Sequence, residues 1–99
     1  MKFDPSVYVG FDWDAGNLTK NKTKHRVNVD EAEQVFLNEP LIVLDDPKHS
    51  QTEKRYHALG QSDNGRYLQL TFTLRFNKIR VISVRPMNRK EEKLYETQR

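Results

Sequence analysis

The residues best suited to chemistry lie in "RYLQLTFTLRFNKIRVISVR", residues 66–85. Two alternating runs flank Phe76-Asn77, the pattern of two strands joined by a two-residue turn. Such a turn sets Arg75 opposite Lys78, Thr73 opposite Arg80 and Thr71 opposite Ile82. Those residues share one face, and Leu70, Phe72, Leu74, Ile79 and Val81 share the other. The first face gathers Arg75, Lys78 and Arg80 beside threonine hydroxyls, and Arg85 emerges at its far end, before Pro86. Guanidinium groups offer planar two-pronged forks and a charge that does not titrate away, which is what phosphate binding needs. The ordinary alternative is that arginines near a hairpin tip keep a sheet edge soluble.

A second basic group falls at 20–26: Lys20, Lys22, Lys24, His25 and Arg26. Of the three histidines, His49 reads as an exposed loop residue and His57 as a packed or surface residue within a strand. His25 stands at a helix end, where the dipole favours its charged form and the neighbouring cations oppose it. It can serve as an acid or base or as a phosphate contact, and the ordinary alternative is a surface histidine. No His-x-x-x-His or His-Glu-x-x-His pair is present and there is no cysteine, so no metal or cofactor is expected. Asp45-Asp46 reads as a strand end. Gly-rich phosphate loops, Gly-x-Ser-x-Gly elbows and Cys–His pairs are absent. RNA carries its own nucleophile, the 2′-hydroxyl. A protein that cleaves it must align the strand, move protons and stabilise charge on phosphorus, and cationic side chains supply the last of these.

These residues must be positioned by a small fold. The chain has 99 residues, 35% hydrophobic and 31% charged, and reads as one domain, 1–99. Ten aromatics argue against disorder. The net charge of +3 is mild, but its distribution is not: basic residues concentrate at 20–26, 75–80 and 85–93, and acids at 30–46. Such polarity suits a basic face for phosphates. With no signal-type or membrane-spanning apolar run, the expected location is the cytoplasm.

Alternation of Val7, Val9, Phe11 and Trp13 predicts a strand. A helix is expected over about 15–25. A second opens at Asn28 with Glu31 as its capping-box partner, burying Val29, Ala32, Val35 and Phe36, and ends by Asn38. Strands follow at "LIVLDD" and "EKRYHALGQ", then the hairpin strands. "SDNG" allows a two-residue turn or a bulged loop with Gly65 left-handed, and the two send Arg55 to opposite faces. Asn88 and Glu91 form a capping box for a last, charged helix to about Thr97. The order β-α-α-β-β-β-β-α gives an α+β fold: an antiparallel sheet, two N-terminal helices on one face and a short C-terminal helix.

The ordered set Trp13-Asp14, Lys24-His25, Glu53-x-Arg55, Ile82-Ser83-x-Arg85, Glu91 and Tyr95 resembles the BrnT family of bacterial toxins, from about Phe11 to Glu96. The resemblance implies a RelE-like fold and a ribonuclease toxin of a type II toxin–antitoxin module, which cleaves RNA and so inhibits translation and growth. A BrnA-like antitoxin would neutralise it in a hetero-oligomeric complex, and promoter DNA would be bound only through that complex. No membrane is involved. Carried over by position, His25, Glu53, Arg75, Arg80 and Arg85 become candidate catalytic residues. Lys24, Arg55 and Ser83 become candidate RNA contacts, and the basic clusters add Lys20, Lys22, Arg26 and Lys78. Metal-independent cleavage is expected. The rival is a non-catalytic nucleic-acid- or protein-binding module of the same fold. Two positions depart from the family pattern: Arg26 stands where glycine usually follows the Lys-His pair, and Val84 replaces alanine.

Overall fold

The computed structural model describes residues 3–13 and 26–98. Its frame is the hairpin of β4 (Tyr67–Arg75) and β5 (Lys78–Pro86). Phe76 and Asn77 join them with φ of 51° and 61°. Two successive left-handed residues make the turn that matches the natural twist of a hairpin. Arg75 pairs with Lys78 and Thr73 with Arg80, as the turn length requires. Beyond Phe72, which pairs with Val81, the register slips and Thr71 meets Ser83 instead of the expected Ile82. Ile82 is the extra residue of a β-bulge. The bulge matters for the site. Strict alternation would turn Ser83 and Arg85 into the core; the slip brings both to the face of Arg80, with Arg85 opposite Gln69, and turns Val84 inward, where it is buried.

Strand β3 (Tyr56–Gln61) runs antiparallel to β4, and β2 (Ile42–Asp45) antiparallel to β3. Gly65 has φ +82°, its N–H donates to the Ser62 carbonyl at 2.9 Å, and the Ser62 N–H donates to the Arg66 carbonyl at 3.0 Å. This is the bulged form of the β3–β4 loop. It sets His57 opposite Thr71, on the polar face, and alternation carries Arg55 to the same side.

The sheet order is β1-β5-β4-β3-β2, and β1 (Phe11–Trp13) runs parallel to β5. The expected antiparallel sheet is therefore mixed. Its first strand is also shorter than the alternation from Val7 implies. The Asp4 carboxylate accepts the Ser6 N–H at 3.0 Å and caps a 3-10 turn over Pro5–Val7. A proline at the first position of such a turn favours it over extension. Val7 and Val9 stay exposed.

One sheet face carries the main core. Helix α1 (Val29–Gln34) starts at Asn28, whose side chain accepts the Glu31 N–H at 2.8 Å. Glu31 does not return the bond; it pairs with Arg66 at 3.1 Å. Val27, Ala32, Val35 and Phe36 pack with Ala58, Leu68, Leu70, Phe72, Val81 and Val84. Phe36 meets Phe72 edge-on, ring centroids 5.2 Å apart. The helix expected at 15–25 lies outside the described residues.

Helix α2 (Arg89–Glu96) packs on the opposite face, where Tyr95 is fully buried with Leu59 and Met87 beside Ile42 and Tyr67. The Tyr95 hydroxyl donates to the Pro40 carbonyl at 2.7 Å. The face of the arginines is thus covered at one end and open at the other.

Candidate functional site

Three ion pairs run along the polar face. At the hairpin tip, Arg75 Nε and Nη2 donate to the two oxygens of Glu53 at 2.6 and 2.8 Å. The Arg75 hydrogen bond holds the Glu53 carboxyl below its usual value, with smaller help from the charges of Arg75, Arg80 and Arg55. The same bond raises Arg75. Next along, Arg80 Nη1 donates to Asp12 Oδ2 at 3.0 Å, because β1 places Asp12 beside Arg80 in register. At the far end Arg85 forks onto Glu91 at 2.7 and 2.9 Å. Glu91 Oε1 also accepts the Asn88 N–H at 2.9 Å, which completes the α2 capping box. Partial burial pushes Glu91 up, but the Arg85 bonds, the Asn88 N–H and the charges of Arg85 and His57 together hold it low.

The two-pronged carboxylate grip on Arg75 and Arg85 orients each fork in the geometry that a phosphate also uses. The carboxylates also oppose binding, since a phosphate must displace them or share the guanidinium with them. All three arginine side chains keep between 26% and 43% of their surface exposed, so incoming anions can reach them.

Between these pairs sits His57. Its Nε2 faces Asp46 Oδ2 at 3.1 Å. Its Nδ1 lies 3.1 Å from Thr71 Oγ1 and 2.6 Å from Gln69 Nε2. Asp46 is buried and takes a second histidine, His49, whose Nδ1 is 3.0 Å from Oδ2. Asp46 also closes the loop that carries Glu53 and Arg55. Its N–H donates to the Arg55 carbonyl at 3.0 Å. Ser50 Oγ donates to the Asp46 carbonyl at 2.5 Å and accepts the Arg55 N–H at 2.9 Å.

Of the residues singled out in the sequence, Arg75, Lys78, Arg80, Ser83 and Arg85 lie on this face, and Glu53 and Arg55 are brought to it by the loop. Arg26 is not part of the row. Its carbonyl accepts Arg66 Nη1 at 3.0 Å, beside α1, where Arg66 also pairs with Glu31. Its φ of 54° keeps the left-handed backbone that a glycine suits. Lys20, Lys22, Lys24 and His25 lie outside the described residues. Sequence reasoning missed Asp12, Asp46 and His57. The signal for His57 was its register opposite Thr71, which follows only from the bulged choice at Gly65. Phe76 was read only as a turn residue; it stands 92% exposed between Arg75 and Lys78.

A hollow of about 1080 Å³ lies elsewhere, lined by Phe3, Pro5, Phe36 and Leu41 among others, and contains none of the candidate residues. An extended polyanion suits the open sheet face better than this hollow. Among the described residues no helix is long and apolar enough to cross a membrane.

The fold is α+β with a five-stranded mixed sheet, and the candidate site is a row of carboxylate-held arginines around a histidine. Residues 13–91 match the profile described as the ribonuclease toxin, BrnT, of type II toxin–antitoxin systems. The chain belongs to this BrnT family of ribonuclease toxins. It is similar to the crystal structure of the Brucella abortus ribonuclease toxin BrnT, at 21% identity and a TM-score of 0.59, covering 81% of this chain and 97% of that one. No curated protein matches the chain.

Proposed function

We propose that this chain is the RNA-cleaving toxin of a type II pair and that it acts without a metal ion on the polar face of its RelE-like sheet. The observation that carries the reading is the alignment of Arg75, Arg80 and Arg85 on one face, each held by a carboxylate. Preorganised charge of this kind stabilises a developing oxyanion without reorganising in the reaction. The 2′-hydroxyl attacks the adjacent phosphorus, Arg80 and Arg85 hold the phosphate, and Glu53 aligns Arg75 on the flanking backbone. Lys78, Arg55 and Ser83 add contacts. Phe76, exposed among cations, offers a base a stacking surface. Among the described residues no group of three His, Asp or Glu side chains is placed to hold a metal ion.

The partner is an antitoxin of BrnA type, acidic where it covers this face, with promoter DNA bound through the antitoxin. The reaction belongs to the cytoplasm, where the RNA is. The experiment is incubation of purified toxin with RNA in EDTA. Cleavage that needs no added metal and stops when the antitoxin is added supports the reading. Intact RNA under both metal-free and metal-supplemented conditions favours a binding module instead.

A further inference from the structure

We propose that Thr71, His57 and Asp46 form a proton relay that receives the 2′-hydroxyl proton during RNA cleavage; the inference rests on the ribonuclease reading above. The partners of a neutral His57 ring set its tautomer. A carboxylate accepts, so Nε2, 3.1 Å from Asp46 Oδ2, carries the hydrogen. The Gln69 amide nitrogen donates, so Nδ1, 2.6 Å away, is the acceptor. The Thr71 hydroxyl lies 3.1 Å from the same nitrogen, farther off than Gln69, and takes over its lone pair when the proton transfers. The result is a hydroxyl–imidazole–carboxylate line, the arrangement by which hydrolases pass a proton from an oxygen to a histidine steadied by a buried acid.

The line has one outlet. Gln69 and Asp46 are buried, whereas Thr71 is half-buried and His57 keeps 32% of its side-chain surface exposed. Thr71 pairs with Ser83. Its neighbours on the same strand face, Thr73 and Gln69, pair with Arg80 and Arg85. A phosphate held by Arg80 and Arg85 therefore sits over the Thr71 hydroxyl, with its ribose beside it. The charged groups around the imidazole are Asp46 from the β2–β3 loop, with His49 on its other side, and Glu91 from α2, itself paired to Arg85.

The step balances as follows. The 2′-O–H bond breaks as that proton passes to Thr71 Oγ1 and the threonine's own proton moves to His57 Nδ1. The 2′-oxygen bonds to phosphorus and the bond from phosphorus to the 5′-oxygen breaks. The leaving 5′-oxygen takes a proton from water, and the hydroxide so formed takes the proton from the imidazolium. The products are a 2′,3′-cyclic phosphate and a free 5′-hydroxyl.

The test is a pH–rate profile of RNA cleavage in EDTA for the wild type, His57→Gln and Thr71→Val, with melting curves and an imidazole-nitrogen NMR spectrum of the wild type. The relay requires a wild-type rate that rises with pH through an inflection, a cyclic-phosphate product and the Nε2–H tautomer. Folded His57→Gln should lose about 10²-fold in rate and lose the inflection. Thr71→Val should slow the reaction with the inflection retained. Wild-type rates and profile in folded His57→Gln would overturn the relay and leave the ribonuclease reading standing. Where that variant melts early, an unaffected Thr71→Val or an Nδ1–H tautomer overturns it equally. A wild type that cleaves no RNA at any pH removes the ribonuclease reading and the relay together.

Discussion

Glu91 caps helix α2 and holds Arg85 with the same carboxylate: Oε1 accepts both the Asn88 N–H at 2.9 Å and Arg85 Nη1 at 2.7 Å. The last helix and the end of the arginine row are therefore fastened at one point. Removing it should loosen both.

Glu91→Gln keeps the shape and weakens the charge-assisted bonds. It should destabilise the protein at neutral pH by about 1 kcal/mol, the order of one capping or charge-assisted hydrogen bond. Glu91 is lowered from 4.5 in the folded state. A lowered carboxyl stabilises above its unfolded value, and that contribution is lost as pH falls through the folded one. The wild type should thus lose stability below pH 4.5 more steeply than Glu91→Gln. Urea unfolding across this range would show it; parallel curves would mean that the pair adds nothing.

The turn at Phe76-Asn77 carries a cost. A left-handed residue other than glycine is unfavourable by about 1–2 kcal/mol, least so for asparagine. Replacing Phe76-Asn77 by Asn-Gly should stabilise by about 1 kcal/mol and raise Tm by about 4–8 °C. Phe76 is 92% exposed, so no core packing is lost. The same variant should bind RNA more weakly by about 1 kcal/mol or more, the range of one base–aromatic stack. Higher Tm with unchanged RNA affinity would show that Phe76 is no binding residue.

Gly60 on β3 lies under the end of α1. A Cβ there would stand 2.7 Å from Val35 Cγ1 and 3.3 Å from the Val35 carbonyl oxygen. Backbone contact leaves little room to yield, so Gly60→Ala should destabilise by about 1–3 kcal/mol. An unchanged melting temperature would show that α1 is not seated as described.

Much of this arrangement was legible in the sequence, and the losses have physical reasons. Arg75, Lys78, Thr73 and Arg80 fell on the right face because a two-residue turn fixes register over its first pairs. Thr71 was assigned the wrong partner because the bulge at Ile82 is set by how the sheet twists and packs. Asp12 could not be linked to Arg80, since a parallel edge strand pairs with residues far along the chain. Asp46 and His57 looked ordinary singly. What joins them is the loop closed by Asp46 and Arg55, a tertiary contact that no local pattern announces. Glu91 was read as a cap, which it is, and its second duty toward Arg85 was invisible for the same reason.

The proposed antitoxin interface makes an electrostatic demand. A partner acidic toward the exposed end of the arginine row should associate fast at low salt and more slowly as salt screens the attraction. Stopped-flow association of the purified pair would measure it. Rates indifferent to salt, with RNA cleavage continuing inside the complex, would place the antitoxin elsewhere.

The most direct measurement is RNA cleavage in EDTA by the wild type beside Arg75→Ala, Arg80→Ala and Arg85→Ala, alone and combined, with folding checked by circular dichroism. Loss of one well-placed charge donor slows such a reaction by about 10²-fold or more. The account expects metal-free cleavage by the wild type, a loss of that order for Arg80→Ala and Arg85→Ala, and no detectable cleavage by the folded triple variant. A folded triple variant that cleaves at the wild-type rate would contradict it.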